Sequence, residues 1–202
     1  MRQLANSEFS KAMVITGCLA ARLGFVLFEI LSALQAGSIS LAVDALTHFS
    51  AGVGLVVTLF KAARPQKEGQ ETALDEHHGA ALLVLLAFLA LASVRRLFLQ
   101  VPVDAGTIVA VSMYSLLTHA ALTAILARTS RRAWLEGLAQ SLLPALVVPA
   151  LTLGTGGLIA ATGWQRADPI VSLILLGAIG AGVVGAGVVG LTIERRHIGR
   201  DV

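Results

Sequence analysis

The chain has 202 residues, 56% of them apolar and only 13% charged, with a formal net charge of +3. Soluble domains run at about 45–50% apolar and about 25% charged, so the composition excludes a disordered chain and argues against a soluble globule. A single cysteine, Cys18, excludes a disulfide framework and any zinc site built on several thiolates.

The basic residues sit at the ends of apolar runs, a membrane pattern and not a nucleic-acid-binding one. A spanning helix needs about 20 mostly apolar residues. Six runs meet that need: 12–35, 39–60, 79–99, 106–127, 134–162 and 169–193. None alternates with period two, which argues against a β-barrel. The expected fold is an all-α membrane protein with six transmembrane helices. A segment 1–11 is expected before the six-helix domain 12–193 and a short tail 194–202 after it, and no C-terminal metal-binding domain is expected.

With both termini on one side, eleven Lys and Arg fall there, and three (Arg95, Arg96 and Arg166) fall on the other. The positive-inside rule then makes both termini cytoplasmic. Cell-membrane localisation is expected, in a bacterial inner membrane. Ile15-Thr16-Gly17-Cys18 matches a lipoprotein box by letter. Too few apolar residues separate Lys11 from Cys18 for a signal peptide, so Cys18 reads as a small buried hydrophobe.

Charge near the bilayer centre costs at least ~2.5–3.5 kcal/mol per group, so each instance needs a reason. In the first run Arg22 and Glu29 lie seven residues apart, two turns along one face. They read as a structural polar pair meeting neighbouring helices, or with Arg22 snorkelling towards the cytoplasm. In the second run Asp44 and His48 stand at i, i+4, which puts carboxylate and imidazole together on one face. That is half of a tetrahedral metal site and also a proton-exchanging pair, and it makes Asp44 and His48 the predicted metal ligands. Thr47, His119, Glu136 and Gln140 are further candidates along an ion path. The polar segment 61–78 reads as a connector, and its Asp75, His77 and His78 could capture metal at the cytoplasmic mouth. Pro144, Pro149 and three glycines interrupt the fifth run, as in helices that bend or line a path. Small residues spaced by four in the sixth, Gly182, Ala186 and Gly190, suit close helix packing within the bundle or across a dimer. Asp168-Pro169 reads as the start of that helix, with Asp as N-cap.

No nucleophile–base pattern is present, so no enzyme is expected. His48 and His119 alone could serve as axial haem ligands, but nothing else points to a redox centre.

Several runs in order carry a family resemblance: Gly37-Ser38-Ile39-Ser40-Leu41-Ala42-Val43-Asp44-Ala45-Leu46, His78-Gly79-Ala80-Ala81, Arg95-Arg96-Leu97 with Val101-Pro102-Val103, and Gly163-Trp164-Gln165-Arg166-Ala167-Asp168-Pro169. Over nearly its whole length the chain resembles the transmembrane domain of the cation diffusion facilitator (cation efflux) family. The resemblance implies a six-span, usually dimeric metal/proton antiporter with cytoplasmic termini. It departs from the family at the metal site. The family's two span-two ligand positions fall on Thr47 and Ala51, and its span-five His-x3-Asp is absent, with Leu138 and Leu142 near the expected places.

The expected function is therefore cation transport through a reduced intramembrane site, with a divalent ion such as Zn or Mn as substrate and no firmly implied cofactor. The alternative is a non-transporting, family-like subunit that binds another membrane protein. Expected partners are the lipid bilayer and a second copy or a membrane-protein partner.

Overall fold

The computed structural model describes residues 2–63, 70–99, 101–129 and 143–198, with side chains described at 13–14, 16–53, 79–99, 101–122, 124–125 and 146–184. Among these, the chain forms six helices: α1 (Arg2–Ala36), α2 (Ile39–Ala63), α3 (Gln70–Phe98), α4 (Ala105–Thr129), α5 (Leu143–Thr162) and α6 (Ala167–Ile198). Four stretches are long and apolar enough to cross a membrane: Thr16–Ala36, Gly79–Phe98, Ala105–Leu122 and Ala167–Val184. The described apolar parts of α2 and α5, Ile39–Val53 and Leu146–Thr162, are shorter. Two expectations need correction. The segment read as a connector is helical from Gln70 onward, because Gln, Glu, Ala and Leu are good helix formers and the run holds no proline after Pro65. Pro149 does not break α5, which runs through it with the ring buried.

Burial is inverted relative to a soluble protein. Leu34, Val84, Phe88, Leu91 and Phe98 face outward, whereas Glu29, Asp44, His48, Ser93, Ser112, Ser115, Thr152 and Asp168 are fully enclosed. Lipid is as apolar as leucine, so this surface suits hydrocarbon. The chain is a multi-pass protein of the cell membrane.

α2 is the central helix and packs against the other five. α4 and α5 form the most extensive pair, α1 lies on α2 and α4, and α3 lies chiefly on α6. The α4–α5 approach is made possible by Gly156, where an added Cβ would stand 2.9 Å from Ile108 Cγ2 and 3.0 Å from Val109 Cγ2. An apolar cluster of Ala33, Ala36, Leu41, Val103, Ile108, Val111, Ile159 and Ala167 fills the end nearest the α1–α2 turn.

That end is pinned by polar contacts as well. Gly37, with φ of 62°, closes α1: its N–H donates to Leu34 O and the Ser38 N–H to Ala33 O, a Schellman turn that only glycine enters cheaply. Ser38 then caps α2, accepting from the Leu41 N–H. Arg96 of α3 donates to Gly37 O, the Asp104 N–H donates to Ala36 O, and the Val103 N–H donates to Gln165 Oε1. Asp168 corrects its assignment as the N-cap of its own helix. It lies inside the first turn of α6 and accepts from the Ile39 and Ser40 N–H groups (2.8 and 3.1 Å) and from the Ser38 and Ser40 hydroxyls (2.7 and 2.6 Å). It thus caps α2 from across the bundle, a charge-assisted use of a helix N-terminus. Asp104 is the local N-cap of α4, accepting from the Gly106 and Thr107 N–H groups and the Thr107 hydroxyl.

Candidate cation site

The costly residues of the apolar runs meet at one place. Glu29 lies eight residues before the α1–α2 turn, and Asp44 and His48 lie within the first ten residues of α2. At 1.5 Å of rise per residue this puts all three roughly 8–14 Å below the turn, well inside a hydrocarbon layer of about 30 Å. The antiparallel run of α1 on α2 sets Glu29 beside His48, nineteen residues on. The i, i+4 spacing sets Asp44 on the same face of α2 as His48. All three side chains are fully buried.

His48 Nδ1 and Glu29 Oε2 share a hydrogen bond of 2.5 Å. Its other ring nitrogen, Nε2, lies 3.3 Å from Asp44 Oδ1, and the Ser115 hydroxyl of α4 reaches the same nitrogen at 3.4 Å. Neither oxygen of Asp44 has a hydrogen-bond donor among the described residues, and neither does Glu29 Oε1. Once Nδ1 carries the imidazole proton, the Nε2 lone pair and an Asp44 oxygen face each other. One donor atom from each of Glu29, Asp44 and His48 lies within 4.8 Å of the others. A buried carboxylate without a donor is expensive, and a proton or a cation in that gap relieves it. Two carboxylates and an imidazole form a donor set able to coordinate a divalent ion.

A second layer backs the triad. The His119 ring of α4 stacks on His48, with centroids 3.7 Å apart and planes 26° apart. Its Nδ1 donates to Ser115 O at 3.0 Å, so Nε2 is left to accept from Arg22 NH2 at 2.8 Å. That pattern fixes a neutral imidazole. Arg22 is buried and does not snorkel to the cytoplasm; its aliphatic stem runs over Gly52, where an added Cβ would stand 3.7 Å from Cδ. With Arg22 charged, both carboxylates ionised and both imidazoles neutral, the group holds one surplus negative charge. Phe25 packs against His48, with ring centroids 6.0 Å apart.

The predicted ligands Asp44 and His48 thus stand together, joined by His119 through its stacked ring. Arg22 and Glu29, expected to meet neighbouring helices, do so at His119 and His48, and Glu29 joins Asp44 and His48 in one cluster. Its signal was available in the cost of burying a carboxylate, but its direction towards His48 was not. Thr47 is half-buried and donates to Val43 O one turn back on its own helix. Asp75, His77 and His78 lie on the first turns of α3, where only the backbone is described. Glu136 and Gln140 lie outside the described residues. α5 has no Asp, Glu, His or Cys, and its Thr152 and Thr155 donate to their own helix backbone. The face-to-face contact of His48 and His119 leaves no gap for a haem between them.

No known protein family and no curated protein matches this chain.

Proposed function

We propose that this protein carries a cation across the membrane, exchanging a divalent metal ion for protons at Glu29, Asp44 and His48, with all six helices crossing and both termini cytoplasmic. The observation that carries the reading is Asp44: a fully buried carboxylate that accepts no well-formed hydrogen bond among the described residues and lies opposite an imidazole nitrogen. Buried charges persist where they are paired or bind an ion. An intramembrane ionisable cluster marks ion and proton pathways by default. Ligation requires deprotonated carboxylates and a free imidazole lone pair, so metal entry expels the proton held in the gap, which couples the two fluxes. Arg22 lowers the negative charge that the metal meets, which suits an ion that must leave as well as enter. The resemblance to cation diffusion facilitators supports the same class of reaction, with the ligands moved from the α2–α5 seam to the α1–α2 seam.

The test is Zn²⁺ and Mn²⁺ flux into proteoliposomes under a pH gradient, with wild type beside Asp44→Asn. Wild-type flux that falls at least about tenfold in the variant is the expected result. Equal flux in a correctly inserted variant would sink the assignment.

The absence of any ligating side chain on α5 favours a second reading, a membrane subunit that no longer transports. It predicts no flux in the wild type, no stabilisation by either metal, and co-purification with another membrane protein.

A further inference from the structure

Three arginines lie on the less basic side of the chain's charge pattern, and the structure gathers all three around one groove. Phe88, Leu91, Ala92, Arg95, Arg96, Leu99 and Val101 line a cavity of about 480 Å³ on the flank of α3, within the ~300–1,000 Å³ range of ligand sites. A small adjoining pocket continues it past Arg96 and Val101 to Val103, Gln165, Arg166 and Pro169. The groove is therefore apolar along α3 and basic at the end of that helix. Arg96 is partly held by its bond to Gly37 O. The side chains of Arg95 and Arg166 are exposed and make no hydrogen bond or ion pair among the described residues. The two acids of this end are already engaged: Asp168 is buried on the α2 N-terminus, and Asp104 holds the first turn of α4. Nothing among the described residues neutralises the arginines.

We infer that this groove binds an anionic phospholipid, its acyl chain along Phe88 and Leu91 and its phosphate among Arg95, Arg96 and Arg166. The position fits the chemistry. Arginines at the end of a spanning helix lay their stems on apolar surface and hold their heads at the headgroup level. Guanidinium pairs with phosphate oxygens through parallel N–H donors. A second copy of the chain is the other natural occupant of an outward apolar face, but a two-fold contact centred here would set the same arginines against each other.

The experiment is native mass spectrometry of the full chain in neutral detergent, titrated with phosphatidylglycerol or with phosphatidylcholine of the same acyl chains. Saturable binding of phosphatidylglycerol, with much weaker binding of phosphatidylcholine, is the expected result. Each Arg→Gln change at 95 and 166 should weaken the anionic lipid about fivefold, while the lysine versions, which keep the charge but lose the paired donors, fall between Gln and wild type. Equal binding of the two lipids, or full retention in the Arg95→Gln/Arg166→Gln protein, would overturn the inference. So would displacement of the lipid by inorganic phosphate at matched concentration, because the acyl chain would then contribute nothing. Efficient disulfide formation between copies through Phe88→Cys, in a Cys18→Ser background, would assign the face to a dimer instead.

Discussion

Asp44 stands where stability and activity pull apart. Its carboxylate accepts no well-formed hydrogen bond among the described residues, so Asp44→Asn removes a buried charge and gives His48 Nε2 an amide N–H to accept. In metal-free buffer the variant is expected to be more stable than wild type by about 1–3 kcal/mol, and Zn²⁺ or Mn²⁺ should no longer raise its Tm. Thermal denaturation in detergent, with and without metal, checks both. Arg22 has the opposite sign: Arg22→Met deletes the donor to His119 and leaves two carboxylates without their counter-charge. A loss of about 3–5 kcal/mol is expected, the scale of a broken buried ionic group, read from the same melting curves. At this scale the sequence was informative about cost but not about geometry. Arg22, Glu29, Asp44, His48 and His119 each stand out as too polar for their apolar runs. The i, i+4 rule joins Asp44 to His48, whereas Glu29 reaches His48 only because α1 folds back on α2 at Gly37. No spacing rule reports that contact.

The helix ends show how elements are held. Asp104 makes the first turn of α4 self-sufficient, and the hydroxyl and N–H of Thr107 hold its carboxyl below the ordinary value of 3.8. A depressed folded value contributes stability above the unfolded one and loses it as pH falls through the folded value. The stability difference between wild type and Asp104→Asn should therefore be largest near neutrality and shrink below about pH 4, as denaturation across pH would show. Between α4 and α5 the decisive residue is Gly156. Gly156→Ala puts a methyl against Ile108 and Val109 and should cost about 1–3 kcal/mol as overpacking, with α4 and α5 moving apart; cross-linking between cysteines placed on the two helices would report the separation. Helix existence was legible from run length alone. The first turns of α3 were not, because Asp75, Glu76, His77 and His78 read as a polar connector although the backbone there is helical.

Across the whole molecule, three of the four runs that carried the family resemblance converge on one end of the bundle, while His78-Gly79-Ala80-Ala81 lies towards the other end of α3. Gly37 to Ser40, Arg96, Val103 and Gln165 to Asp168 bond to each other there. They were legible as separate local patterns; their meeting was not, since it joins residues up to 130 positions apart. Asp168 supplies four of these bonds, all to the opening of α2. Asp168→Ala is expected to cost about 3 kcal/mol or more, and Asp168→Asn less, as charge-assisted bonds are lost; equilibrium unfolding in mixed micelles measures the pair. The chain is made from its N-terminus, so Ser38, Ile39 and Ser40 leave the ribosome some 128–130 residues before their acceptor. During that interval α2 lacks the carboxylate that caps its leading amides, and α6 supplies it. A nascent chain stopped after Thr162 should be cleared by membrane proteases well before one that includes α6, and pulse-chase labelling of the two would reveal the difference.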